Sequence, residues 1–427
     1  MEYITRSLES KFIRMSEFFK VVLVTGARQV GKTTMLKHLA GEHERTYVTL
    51  DNTMARNLAR TDPALFFQTY KPPIIIDEVQ YAPELFSYIK IICDESEDVG
   101  RFWLTGSQQY NMMKNVRESL AGRIGILELY SMSKNEIDGV YFDDDLDFSL
   151  PCLQARQSKL QKFESKLSNH SVGGSVKPSN KNDISEIFEY IWRGGMPQTL
   201  YADIEQRQEY FEAYTNTYLM RDVAQLGGVT DTLRFSKFLI ACAAIISNQV
   251  NFKTLAETAE ISQPTAKEWL RILEGLGIVY LLRPYANNTL KRLAKTPKLY
   301  FYDTGLAAHL LMWTTKDILM NGAASGHFFE NFVVIGILKN YAYSRANAFL
   351  SYFRDSNTKE IDLLIERSAM IHPLEIKMSA NPNNREIKKF AVLNDSVKQQ
   401  GYGGIICMCQ EVIPIDVNNC FIPCNLL

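Results

Sequence analysis

Three apolar runs punctuate the first third of the chain: Val21-Val22-Leu23-Val24-Thr25, Ile74-Ile75-Ile76-Asp77 and Phe102-Trp103-Leu104-Thr105. Their apolar residues are continuous rather than alternating. That pattern predicts strands buried on both faces, as in a parallel sheet. Helical stretches separate them, one beginning at Thr34–Ala40 and one around Pro83–Glu95. Residues 1–137 are therefore read as an α/β domain of alternating strands and helices.

The pattern breaks near Asp138. Asp143-Asp144-Asp145-Leu146-Asp147 is acidic, and Lys159–Asp183 is polar and holds Gly173-Gly174 and Pro178. Residues 138–183 are expected to be a flexible insertion or linker. Apolar spacing returns at Ile184–Trp192, and Arg207–Asp222 reads as a second, tyrosine-rich helix. Residues 184–310 are read as a helical domain. Within it, Leu233–Ser247 predicts a long helix and Thr254–Glu260 a short one with Thr254 as N-cap. Pro264–Leu276 predicts a third helix, stopped by Gly277. Ile278–Leu282 and Lys298–Tyr302 then predict a strand pair. Helix, turn, helix and wing in that order form a winged helix, a DNA-reading geometry. Residues 231–300 carry ten Lys/Arg against five Asp/Glu. Lys267 and Arg271 lie one turn apart on the candidate recognition helix, and Lys291, Arg292 and Lys295 decorate the wing. They are the candidate DNA-binding residues. Winged helices also serve as protein-binding modules, and that alternative stays open.

A chain of 427 residues is long enough for two or three domains. Its 46% hydrophobic and 22% charged residues are the balance of a folded chain rather than a disordered one. A net charge of −1 gives no global field toward nucleic acid or membrane, so any nucleic-acid site must be a local patch. The apolar runs are too short to span a bilayer, and Met1–Lys20 lacks a signal-peptide core. A cytoplasmic protein with no membrane partner is expected. Seven scattered cysteines point to reduced thiols. Cys407, Cys409, Cys420 and Cys424 lack the paired C-x₂-C spacing of zinc sites and are expected as buried free thiols.

The chemistry begins at Gly26-Ala27-Arg28-Gln29-Val30-Gly31-Lys32-Thr33-Thr34, which matches G-x-x-x-x-G-K-[ST] between a strand and a helix. Such a loop turns its backbone N–H groups onto phosphate oxygens at a helix N-terminus. Lys32 is expected to reach the β- and γ-phosphates of ATP and Thr33 to ligate Mg²⁺. No guanine-specifying N-K-x-D motif occurs, which leaves ATP by elimination. Asp77 is the expected metal-water ligand and Glu78 the general base, on opposite faces of a strand end. Ser107 and Gln108 stand where a sensor would meet the γ-phosphate. Arg123, in Glu118–Arg123, is the candidate arginine for transition-state charge, in cis or from another copy in a homo-oligomer. Arg28 is an alternative to it, and a structural surface role for Arg123 is another.

In the last third, Glu360–Glu366 alternates as a strand and Pro373-Leu374-Glu375-Ile376-Lys377 follows a turn. Glu375 and Lys377 share a face, and a hairpin can bring Asp362 beside them. Two carboxylates there could hold Mg²⁺, with the lysine activating water against a phosphodiester. Glu330, in the helical stretch Gly326–Leu338, is a candidate third acid. This set resembles the PD-(D/E)xK nuclease signature. A surface-charged hairpin, or a nuclease-like fold without activity, remains the alternative.

The segments Gly26–Thr34, Ile74–Gln80, Leu104–Ser107, Ser119–Arg123, Tyr218–Val223, Pro297–Leu306, Glu330 and Glu360–Lys377 together resemble a bacterial and archaeal family of AAA-type P-loop ATPases with a C-terminal domain of unknown function. The resemblance implies an AAA-like parallel-sheet core, a winged-helix middle and a restriction-endonuclease-like α/β end over 311–427. It brings no known substrate, and residues 141–183 depart from it. Three functional readings follow: an ATPase coupled to double-stranded DNA, an ATP-gated switch or adaptor for a protein partner, and an ATP-regulated metal-dependent nuclease.

Overall fold

The computed structural model describes residues 3–41, 45–106, 119–142, 145–170, 183–227, 229, 231–286, 296–355, 359–395 and 398–427. Five parallel strands form the first sheet: β1 (Val21–Thr25), β2 (Thr46–Thr49), β3 (Ile74–Asp77), β4 (Phe102–Thr105) and β5 (Ile124–Glu128). Their spatial order is β2-β3-β4-β1-β5, with every neighbouring pair parallel. Alternate residues of the apolar runs enter different cores. Val21, Leu23, Ile74, Ile76, Phe102 and Leu104 pack on one face. Val22, Val24, Ile75 and Trp103 pack on the other, in a core that continues into the rest of the chain. Burial on both faces explains why these strands carry no polar alternation.

A buried ion pair ties this domain together. Arg6 Nε lies 3.2 Å from Glu136 Oε1, and both side chains are buried. The same guanidinium donates to the Val30 carbonyl at 2.8 Å and the Tyr130 carbonyl at 2.7 Å. Glu136 in turn accepts from the backbone of Ser7 and Ser133. Burial disfavours both charges, but each offsets this for the other: the Arg6 pKa is raised and the Glu136 pKa is lowered.

The expected flexibility of 138–183 does not hold for Leu150–His170, which is one helix. Leu153, Arg156, Leu160 and Phe163 recur at 3, 4 and 3 residues and form a single stripe. Leu153, Arg156 and Leu160 are buried. Arg156 donates to the Leu426 carbonyl at 2.9 Å, and Gln157 accepts from Val412 N at 2.9 Å. The polar composition belongs to the outer face. Gly173, Gly174 and Pro178 lie outside the described residues, as do Asp143 and Asp144.

The helical segment runs Ile184–Arg193, Ile204–Ala213, a π-helical stretch Tyr214–Leu219, then Met220–Gly227, Thr232–Ala244, Phe252–Thr258 and Gln263–Gly275. The expected Arg207–Asp222 helix is thus interrupted by a π turn. The short helix starts earlier than its spacing suggested, because Asn251 rather than Thr254 caps it and accepts from Lys253 N and Thr254 N. Ser262 caps the following helix. Strands β6 (Val279–Leu282) and β7 (Lys298–Phe301) pair antiparallel. The stretch Pro297–Leu306 acts as a structural staple. Asp303 accepts from Gly195 N and Leu306 N, and a Cβ at Gly194 would stand 2.3 Å from Asp303 Oδ1.

Helix Ser325–Tyr343 leads into a second sheet of β8 (Phe349–Arg354), β9 (Glu360–Arg367), β10 (Met370–Lys377), β11 (Gln399–Gln400), β12 (Gly403–Cys407), β13 (Ile413–Pro414) and β14 (Asn419–Pro423). Its order is β13-β14-β12-β10-β9-β8, with β11 beside β10. All seven cysteines are free thiols, and only Cys152 is exposed. Among the described residues no helix is long and apolar enough to cross a membrane.

Glu136→Gln keeps the shape of the buried pair but leaves the Arg6 charge uncompensated. It is expected to destabilise the chain by about 3 kcal/mol, read as a lower urea midpoint in unfolding experiments.

Candidate active site

The phosphate-binding loop hangs between β1 and helix Lys32–Ala40, at the carboxyl end of the parallel strands. Gly26 has φ +139°, and a Cβ there would lie 2.1 Å from the Leu129 carbonyl oxygen. Only glycine fits. Gly31, at φ +97°, starts the helix, and Gln29 is left-handed at φ 63°. The helix N-terminus therefore opens directly onto the loop, the arrangement that binds phosphate.

Lys32 is buried and folds back over its own loop. Its Nζ donates to the Gly26 carbonyl at 3.0 Å and the Ala27 carbonyl at 2.8 Å. Burial pushes its pKa down to about 8, against the pull of Glu78. Thr33 Oγ1 donates to Asp77 Oδ1 at 2.6 Å, and Tyr47 OH donates to Asp77 Oδ2 at 3.1 Å. Thr105, at the end of β4, also donates to Asp77 Oδ1. Asp77 thereby gathers a tyrosine of β2, the ends of β3 and β4 and the first turn of the helix. Thr33 and Asp77 offer two adjacent hard oxygen donors, a set that suits Mg²⁺.

Glu78 is not on the strand. β3 ends at Asp77, and Glu78 turns away in the left-handed region at φ 57°. Its N–H is held by Thr105 Oγ1 at 3.1 Å, and its carboxylate accepts from Gln80. A turn, not strand alternation, separates its direction from that of Asp77. Tyr47 and Thr105 are contributors that sequence spacing alone did not single out as Asp77 partners.

Arg28 leaves the loop toward the helical segment. Its Nε lies 2.5 Å from Asp222 Oδ2, with both groups largely buried. Burial is the largest influence and opposes its charge, but the hydrogen bonds to Asp222 and Tyr81 and the charges of Asp222 and Glu78 together outweigh it, and its pKa is raised. Gly277, just after helix Gln263–Gly275, packs on the same loop: a Cβ there would meet Ala27 N at 3.5 Å. Arg123 is not brought to this loop. It stands before β5, with its carbonyl accepting from Val21 N, and pairs with Asp94 at 2.6 Å. The length of β1, about 13 Å at roughly 3.3 Å per residue, separates it from the P-loop of its own chain. Ser107 and Gln108 lie outside the described residues.

In the second sheet, Asp362 on β9 and Glu375 and Lys377 on β10 come together. Lys377 Nζ is 2.9 Å from Glu375 Oε2 and 3.3 Å from Asp362 Oδ2. Glu375 is fully buried, and burial pushes its carboxyl up to about 7. A second ammonium, Lys389, lies 3.0 Å from the same Glu375 oxygen. Glu330 is engaged by Lys298 at 3.1 Å and by Tyr300 OH at 2.7 Å. Among the described residues no group of three or more His, Cys, Asp or Glu side chains is arranged to hold a metal ion.

Lys267 and Arg271 are exposed on helix Gln263–Gly275. Five of the ten basic residues of this region are paired internally. Asp231, Glu257, Glu260, Glu268 and Glu274 each lie beside a lysine or arginine of the same segment. Lys291, Arg292 and Lys295 lie outside the described residues.

This site and sheet order define a P-loop nucleotide-binding domain. Residues 18–138 match the family model described as an AAA domain. Residues 184–317 match a domain of unknown function (DUF8612), and residues 325–427 another (DUF4143). The chain therefore carries an AAA-type P-loop domain, the architecture of ATP binding and hydrolysis, ahead of a C-terminal domain of unknown function. An uncharacterized protein of Mycobacterium tuberculosis is 29% identical over 367 residues, covering 85% of this chain and 71% of that one. An uncharacterized Haemophilus influenzae protein is 23% identical over 49% of this chain and 50% of its own. A Walker-type ATPase of Pyrococcus abyssi overlaps 72% of this chain and 96% of its own, at 15% identity and a TM-score of 0.40. The Thermotoga maritima RuvB Holliday junction branch migration motor overlaps 64% of this chain and 85% of its own, at 16% identity and a TM-score of 0.26.

Bound phosphates favour the ammonium form of Lys32. With a pKa of about 8 before binding, the lysine is already protonated well below that pH and must gain a proton above it. Nucleotide binding is therefore expected to take up protons at pH 8.5 to 9 and to weaken as pH rises through that window. Calorimetry in buffers of different ionisation enthalpy reads this directly. A binding enthalpy independent of buffer at pH 8.5 would contradict it.

Proposed function

We propose that this chain is a Mg²⁺-dependent ATPase whose nucleotide state is passed to its helical and C-terminal segments. The observation that carries the reading is the convergence on one loop of a phosphate cradle, an Asp77–Thr33 oxygen pair and two contacts from the helical segment. Lys32 leaves the loop carbonyls for the β- and γ-phosphates. Thr33 and Asp77 would hold Mg²⁺, which would supply charge neutralisation to the transferred phosphoryl group. Glu78, turned away from Asp77 by its own backbone, orients and deprotonates water. Arg123 can serve a phosphate only from another copy of the chain, so its role implies a homo-oligomer.

The partner is proposed as double-stranded DNA, met by a winged helix over residues 232–301. The order of three helices and a strand pair, with exposed Lys267 and Arg271, supports this. A protein-partnered switch is the competing reading, favoured by the internal pairing of most charges in that segment. A metal-dependent nuclease is a further reading, favoured by the meeting of Asp362, Glu375 and Lys377.

Phosphate release from ATP with Mg²⁺ should fall by about 100-fold or more in Lys32→Ala. Glu78→Gln should slow release by roughly 100-fold while retaining bound ATP. Stimulation by double-stranded DNA that is lost in Lys267→Ala/Arg271→Ala supports the DNA partner, whereas release indifferent to DNA favours a protein partner. In the nuclease assay, Mg²⁺-dependent cleavage that disappears in Asp362→Ala supports that reading, and cleavage unchanged in the variant rejects it.

A further inference from the structure

Arg28 is the arginine that the described chain places on the phosphate loop with its guanidinium uncommitted to loop carbonyls. Arg6 also reaches the loop, but its groups are spent on Val30, Tyr130 and Glu136. Asp222 engages Arg28 through Nε. That geometry leaves the two terminal amino groups of the planar fork clear of Asp222, and the Tyr81 hydroxyl hydrogen-bonds the same guanidinium. Glu78 and Tyr81 are close enough to act on the same guanidinium. Arg28 therefore joins the phosphate loop to Asp222 within the electrostatic reach of the candidate base.

Asp222 has little local reason to be where it is. It is 3% exposed, and its Oδ1 is buried without a hydrogen-bond partner among the described residues. A buried carboxylate oxygen without a donor is costly, and such groups call for an explanation. The π-helical stretch Tyr214–Leu219 ends three residues before it. A π turn carries an extra residue relative to an α-helix and so rotates everything after it, and such turns concentrate at functional sites. Here the rotation turns Asp222 toward the loop.

We propose that Asp222 is a positioning residue for Arg28, holding its guanidinium against the γ-phosphate so that phosphate release depends on the docking of the helical segment. The inference rests on the ATPase reading. Charge that accumulates on the transferred phosphoryl oxygens is stabilised by a fixed cation, and fixing is what Asp222 supplies. Because Gly277 packs on the neighbouring Ala27, the segment grips the loop at two points, and a shift of the segment displaces Arg28.

The test measures kcat, KM and the affinity for a fluorescent ATP analogue in the full chain and in Asp222→Asn, Arg28→Lys, Arg28→Ala and Arg28→Ala/Asp222→Asn. Asp222→Asn should bind nucleotide within about twofold of wild type and lose about 10- to 100-fold in kcat. Arg28→Lys keeps the charge but lacks the Nε donor, and should match it. The double variant should be no slower than Arg28→Ala, since Asp222 acts only through Arg28. Wild-type kcat in Asp222→Asn or Arg28→Lys overturns the inference, as do losses that multiply in the double variant. Equal loss of affinity and kcat in Asp222→Asn would mean a structural role and also overturns it. A wild-type chain that releases no phosphate overturns the ATPase reading itself, whereas wild-type turnover with an indifferent Asp222→Asn overturns this inference alone.

Discussion

One buried guanidinium organises the nucleotide-binding half. Arg6 bonds the Val30 carbonyl of the phosphate loop, the Tyr130 carbonyl beyond β5 and the Glu136 carboxylate. A loop that must turn its N–H groups inward leaves carbonyls pointing outward, and each needs a donor. Arg6 supplies one to Val30, while Lys32 supplies others to Gly26 and Ala27. The two cations differ in kind. Arg6 has a buried counter-charge and stays in place. Lys32 rests on neutral carbonyls with its charge disfavoured by burial, and phosphate offers it a better partner.

The same economy of charge appears at the other end of the site. Asp77 accepts from Thr33, Thr105 and Tyr47, so its carboxylate is set by both neighbouring strands and the helix before any ligand enters. Preorganised groups of this type cost no reorganisation during reaction. Glu78 leaves the strand in the left-handed region, which gives the adjacent acids separate directions. The helical segment is not a bystander, since Arg28–Asp222 and Ala27–Gly277 join it to the loop.

The C-terminal sheet gathers charge differently. Glu375 is fully buried yet meets two lysines on one oxygen. Ammonium groups there occupy space that a divalent cation would otherwise claim. The acids expected as a group divide accordingly: Asp362 and Glu375 share Lys377, while Glu330 is committed to Lys298 and Tyr300.

Much of the first domain was legible in sequence because its signals are local. Continuous apolar runs mean strands covered on both faces, and G-x-x-x-x-G-K-T states its own backbone requirement at Gly26 and Gly31. The hairpin bringing Asp362 to Glu375 was legible from strand periodicity. The helix Leu150–His170 was missed because its apolar stripe is thin and its polar face dominates the composition. The π turn, the left-handed Glu78 and the Asn251 cap depend on tertiary contacts that outweigh local preference. By itself the sequence determined which residues form the loop between β1 and its helix, since such a loop is a matter of neighbours in the chain. Tertiary structure alone decided that Arg28 faces Asp222 and that Arg123 lies a strand's length away, because long-range packing sets which charges come within hydrogen-bond reach.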